Sequence, residues 1–151
     1  VEVLLKAAEQ LPDVKFIFAG DGPLHDVVSA EASSRKNLIF PGRVSNENLP
    51  AYYSAADVVC VPSQYDEGFG RIIIESLSCG CPVIAANKGG IIEAIDSTVG
   101  FLIVPDEMNI SSIINKLVQD RGLLESLRKR CRTFAELRFS SANAGIITEA
   151  Y

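Results

Sequence analysis

The sequence has no apolar run close to the roughly 20 residues that a membrane-spanning helix needs. It shows no basic, then apolar, then small-residue leader, so no secretory signal is visible. Positive charge is in short supply: 14 Lys and Arg stand against 19 Asp and Glu, a net charge of −5. Binding to nucleic-acid backbones calls for a basic face, so no nucleic-acid partner is expected. Histidine is down to one residue, His25, which excludes a histidine cluster and reads as a solvated helix residue. No nucleophilic serine or cysteine motif and no P-loop is present. Cysteine amounts to four residues, Cys60, Cys79, Cys81 and Cys131. Cys79 and Cys81 flank Gly80, but their spacing is not that of a zinc site and no second pair exists. Four reduced thiols packed as small apolar groups fit a cytoplasmic protein. Internal repeats, low-complexity tracts and long linkers are also lacking.

What is there is ordinary for a soluble globular protein: 151 residues, 48% hydrophobic and 22% charged, enough for one domain with its own core. The chain begins Val1-Glu2-Val3, without methionine and already inside a helical pattern, as an excised piece of something longer would. Helical and strand-like segments alternate. Helices are expected over residues 1–10, 24–35, 45–56, 70–79, 91–95, 106–118 and 120–137, with a last one at 140–151. Ser45 is placed to cap the third and Asp106 and Asp120 to start later ones. Strands are expected at residues 14–19, 38–40, 57–61, 83–86 and 101–104. DVVCV at 57–61 is apolar on both faces, which suits a central parallel strand. Such alternation implies a Rossmann-like α/β fold, a parallel sheet with helices on both faces. Ligands of these sheets bind beyond the carboxyl ends of the strands, so the loops at 20–23, 41–45, 63–70 and 87–90 are the places to look.

One stretch stands out, EGFGRIIIESLSCG at residues 67–80. Glycines bracket Phe69 where a helix begins. The first amides of a helix have no internal partners, and its dipole adds partial positive charge. Glycines let a ligand approach the backbone, and phosphate is the usual anion at such a site. Arg43, Arg71 and Lys88 are available to add charge. Glu75 lies about 7–8 Å along the helix from Gly70 at 1.5 Å per residue, and Glu67 lies in the loop before it. Carboxylates beside phosphate are unfavourable unless they bind something else, and sugar hydroxyls are natural partners. The same pattern also fits a plain helix start with an exposed glutamate and a loop acid.

The stretch PSQYDEGFGRIIIESLSCGCPVIAANKGGIIEAI resembles the signature of retaining, nucleotide-sugar-dependent glycosyltransferases of the two-Rossmann (GT-B) type, family four, or glycosyl transferases group 1. That family's hallmark is two glutamates separated by seven residues, matched by Glu67 and Glu75. AGDGP at residues 19–23, FPGRV at 40–44, GGIIE at 89–93 and VGFLIVPD at 99–106 match further family motifs, in order along nearly the whole chain. The resemblance implies the C-terminal, donor-binding half of a GT-B fold over residues 1–151, with 140–151 crossing back towards an absent N-terminal Rossmann domain that would hold the acceptor. It implies that catalytic Glu67 contacts hydroxyls of the donor sugar and that Glu75 accepts from the ribose. The backbone of Gly68, Phe69, Gly70, Arg71 and Ile72 would hold the diphosphate, the main chain near Arg43 and Val44 would touch the base, and Gly20 and Gly22 would form the turn over the site. The donor would be a UDP-, GDP- or ADP-sugar, with no cofactor and no metal. The parent would be a hexosyltransferase of polysaccharide, glycolipid or other glycoconjugate synthesis, with peripheral membrane association left open.

Departures exist. The basic pair that the family carries before the first helix is missing here, Lys88 replaces a small or apolar residue, and Phe139-Ser140-Ser141 replaces a frequent Phe-Ser-Trp. A sugar-nucleotide 2-epimerase domain and a non-catalytic nucleotide-sugar-binding module are the alternatives. A glycoside hydrolase would need two acids facing one bond and no phosphate loop.

Overall fold

The computed structural model describes residues 1–63 and 70–139. Within them the elements alternate: α1 (Glu2–Gln10), β1 (Phe16–Ala19), α2 (His25–Ser34), β2 (Leu38–Gly42), α3 (Leu49–Ala55), β3 (Val59–Val61), α4 (Arg71–Ser78), β4 (Val83–Ala86), α5 (Ile91–Ala94), β5 (Gly100–Ile103), α6 (Glu107–Gln119) and α7 (Arg121–Phe139). The helix expected at 140–151 lies outside the described residues.

Every described strand pairing is parallel, as helix-linked crossovers require. The strands form two ladders, β1-β2 and β3-β4-β5. The register runs Phe16↔Leu38 and Ile17↔Ile39 in the first, then shifts so that Ala19 faces Gly42. In the second, Val83 sits between Val59 and Gly100, and Ala85 between Val61 and Leu102. β4 is therefore the central strand, and all four of its residues are buried. The 57–61 run, expected to be central, is an edge strand of its ladder. It is also shorter: Asp57 pairs with Arg121 at 3.0 Å, and strand pairing starts where the Val59 amide donates to the Pro82 carbonyl.

Alternation along β4 divides the core. Val83 and Ala85 join Val61, Ile73, Leu77, Ile91, Val99 and Cys131 in one cluster, beneath α4 and α7. Ile84 points the other way, into a cluster of Leu5, Ala8, Phe16, Leu38, Ile110 and Ile114. That second cluster takes residues from β1, β2 and β4, so α1 and α6 tie the two ladders into one body. The α/β class with helices on both faces is thus the observed one.

Helix ends follow local chemistry. The Asp106 carboxylate accepts from the Asn109 amide at 2.7 Å, and the Asp120 carboxylate from the Leu123 amide at 2.8 Å. The third helix differs from expectation. It starts at Leu49 rather than at Ser45, with Asn48 as its N-cap and Pro50 in the first turn. Ser45 contributes its backbone carbonyl, which accepts from the Asn48 and Leu49 amides, and not its hydroxyl. Pro50 explains the later start, because proline is well placed only at the beginning of a helix.

Candidate functional site

The site is built on α4. Ile73 and Leu77 are completely buried, four residues apart on one face of the helix. They anchor α4 against β3 and β4, and Ser76 adds a hydroxyl that donates to the Cys81 carbonyl at 2.9 Å. At the far end Gly80 takes a positive φ of 76° and its amide returns to the Leu77 carbonyl, so the helix stops there. Both ends of α4 are fixed, and its polar face has a defined direction.

The N-terminal end is set by Gly70, the N-cap, with φ 60° and ψ 59° in the left-handed region. A Cβ there would lie 2.9 Å from Ile73 Cδ1. Only glycine meets both constraints. The Gly70 carbonyl accepts from the Ile73 amide at 2.8 Å, so Arg71 and Ile72 carry the amides ahead of this first closing bond. Such amides, with the helix dipole behind them, attract an anion. Glu67, Gly68 and Phe69 lie outside the described residues.

Glu75 sits one turn further on. Its side chain keeps 32% exposure, and Oε1 lies 3.0 Å from Arg71 Nε. Oε2 accepts a hydrogen bond of 2.9 Å from the Tyr53 hydroxyl of α3. Burial, and then the Glu75 carboxylate beside it, push the Tyr53 phenol well above its ordinary value of 10.0, so it remains a donor throughout the physiological range. A crevice of about 380 Å³ lies between α3 and α4, lined by Asn46, Leu49, Pro50, Tyr53, Arg71, Ile74, Glu75, Ser78 and Cys79. A larger cleft of about 610 Å³ separates β1 from β3 and is lined mainly by apolar residues. The smaller one runs along α4 and holds the Arg71–Glu75 pair, while Ile72 at the start of the helix lines the larger cleft.

Of the residues expected at the site, Arg71, Ile72 and Glu75 lie in α4 and Gly70 is its N-cap. Ile72 is 45% exposed, unlike Ile73, and lines the larger cleft. Arg71 is directed along the helix to Glu75 rather than standing alone as a cation. Gly20 and Gly22 form the turn after β1 with φ of 140° and 154°, and a Cβ on either would meet nothing within 4 Å. The Asp21 carboxylate of that turn bonds His25 Nδ1 at 3.1 Å, and the His25 ring packs edge-on against Phe40. His25 is an exposed residue at the start of α2, as the sequence suggested, and it also braces the turn. Arg43 and Val44 follow β2, the first exposed and the second half-buried. No hydrogen bond or ion pair joins them to α4 among the described residues. Tyr53 was missed: nothing in a tyrosine 22 positions before Glu75 announces the contact.

Among the described residues no group of three or more His, Cys, Asp or Glu side chains converges as a metal site. Burial pushes the Cys60 and Cys131 thiols up to about 12 and Cys81 up to about 11, so all three are neutral thiols near pH 7. No described helix is long and apolar enough to cross a membrane.

The sequence profile of the family described as glycosyl transferases group 1 matches residues 1–138. The D-inositol 3-phosphate glycosyltransferase of Mycobacterium sp. (strain KMS) is 38% identical over 112 residues, 68% of this chain and 25% of that protein. The crystal structure of Anabaena HepE in complex with UDP is similar with a TM-score of 0.86 at 28% identity, covering 99% of this chain and 44% of HepE. The HepE complex with UDP-glucose gives a TM-score of 0.84 at 27% identity, over 98% of this chain and 44% of HepE. The chain spans about a quarter of the length of the curated relatives that it matches.

Proposed function

Since the chain belongs to the glycosyl transferases group 1 family, we propose that it is the donor-binding half of a retaining glycosyltransferase that takes a nucleotide-diphospho-sugar. The observation that carries this reading is the head of α4. A left-handed glycine opens a helix whose first amides precede any internal bond, and a held carboxylate stands one turn in. The UDP and UDP-glucose found with HepE are ligands of the chemistry such a site suits. In this reading the amides of Arg71 and Ile72, with Gly68 and Phe69, take the diphosphate. Glu75 accepts from the ribose hydroxyls, the backbone at Arg43 and Val44 lies along the base, and Glu67 meets the sugar. Helix amides and arginine neutralise the phosphates without a divalent metal. The acceptor is held by a second Rossmann domain in a longer enzyme, in line with the 25–44% share of its relatives that the chain spans.

Glutamine variants of the two acids test the division of the ligand. Glu75→Gln is expected to weaken UDP and UDP-sugar alike, because the ribose is common to both. Glu67→Gln is expected to weaken the nucleotide-sugar more than bare UDP. Calorimetric titration of both variants with both ligands checks this, and equal losses for both ligands in both variants would reject the assignment. Assaying the complete gene product for transfer and for 2-epimerisation separates this reading from an epimerase and from a non-catalytic binding module.

A further inference from the structure

We propose that Tyr53 is a positioning residue for nucleotide recognition, fixing the Glu75 carboxylate so that its remaining lone pairs face a vicinal diol. This deepens the ribose reading of Glu75 and rests on it. An ionised carboxylate has about four acceptor directions. In this structure Arg71 takes one on Oε1 and Tyr53 takes one on Oε2. The two partners are not equivalent. Arg71 is 78% exposed and on the same helix, so its pair with Glu75 is screened and readily exchanged. Arg71 is also the first residue of α4, so a diphosphate arriving at the helix start would compete for its guanidinium. Tyr53 is half-buried on a different helix and lines both the crevice beside Glu75 and the cleft behind it. Its bond survives the exchange of Arg71. A glutamate held before the ligand arrives has already lost rotamer freedom that binding would otherwise cost.

The role separates from a merely structural one through the ligand. Purified protein, Tyr53→Phe, Glu75→Gln and the double variant are titrated with UDP and with 2′,3′-dideoxy-UDP, which lacks the diol. We expect Tyr53→Phe to weaken UDP about three- to ten-fold and to leave dideoxy-UDP unchanged within about two-fold. The unchanged ligand also shows that the variant is folded. In the Glu75→Gln background, Tyr53→Phe is expected to add no further loss. If Glu75→Gln discriminates the two ligands and Tyr53→Phe does not, or the losses add, the positioning role is overturned while the ribose reading stands. If neither variant discriminates them, the ribose reading fails and takes this inference with it. If Tyr53→Phe alone discriminates, tyrosine acts on the ligand directly and the positioning role is again overturned.

Discussion

Gly70 concentrates two constraints in one residue. Its backbone is left-handed, which costs an L-residue roughly 1–2 kcal/mol, and its missing Cβ leaves room for Ile73 Cδ1. Ile73 cannot swing away, because it is fully buried. We expect Gly70→Ala to lower stability by about 1–3 kcal/mol in urea denaturation and to weaken UDP at the same time. Gly100 offers a sharper case without any ligand. A Cβ there would lie 2.3 Å from the Val83 carbonyl oxygen, and that backbone is held by the β4–β5 ladder. Gly100→Ala is therefore expected to cost about 3 kcal/mol or more, exceeding Gly70→Ala. A smaller loss at Gly100 than at Gly70 in the same urea series would contradict the packing described.

At the scale of elements, α4 is amphipathic in the sense that matters for function: its buried side sets where its open side points. Ile73 and Ile72 are neighbours in sequence, yet one is fully buried and the other 45% exposed. Ile73→Ala should cost about 2–5 kcal/mol, as for a core cavity, and Ile72→Ala less than about 1 kcal/mol. Thermal or chemical denaturation of the two single variants checks the orientation, and similar losses would mean that α4 is rotated. This orientation was legible from sequence because the periodicity of Ile73 and Leu77 is a local property. So were the Asp106 and Asp120 caps and the glycine stop at Gly80, each decided within a few residues. Ser45 was misread because the hydroxyl of a serine and the helix start at Pro50 compete locally, and the proline prevails. Residues 14 and 15 were read as strand, but the Val14 amide turns back to the Leu11 carbonyl, and pairing begins with Phe16. The Tyr53 contact to Glu75 was invisible because it depends on how α3 meets α4 across an intervening strand. Glu67, the other half of the motif, is placed by sequence alone.

Across the whole molecule the thiols of buried Cys81 and Cys131 and of half-buried Cys60 set an alkaline limit. The folded-state values of Cys60, Cys81 and Cys131 are raised to about 12, 11 and 12 from an ordinary 9.0, and Tyr53 is raised as well. Between the unfolded and folded values the native state holds more protons than the unfolded one, so stability falls as pH rises. The contribution is fully present below about pH 9 and is lost progressively towards pH 11–12. Urea midpoints are expected to hold steady from pH 7 to 8.5 and to drop above pH 9. A midpoint unchanged at pH 10.5 would contradict the burial of these groups.

The central claim is that one helix head, and not the larger apolar cleft between β1 and β3, receives a nucleotide diphosphate without metal. Titrating UDP into the isotopically labelled protein, with EDTA and then with magnesium, tests it most directly by following backbone amide shifts. We expect binding in EDTA, little changed by magnesium, with the largest shifts at Gly70, Arg71, Ile72 and Glu75. Smaller shifts are expected at Val44 and in the turn of Gly20 and Gly22. Binding that appears only with magnesium, or shifts centred on Phe16, Phe18 and Val59 instead, would contradict the claim.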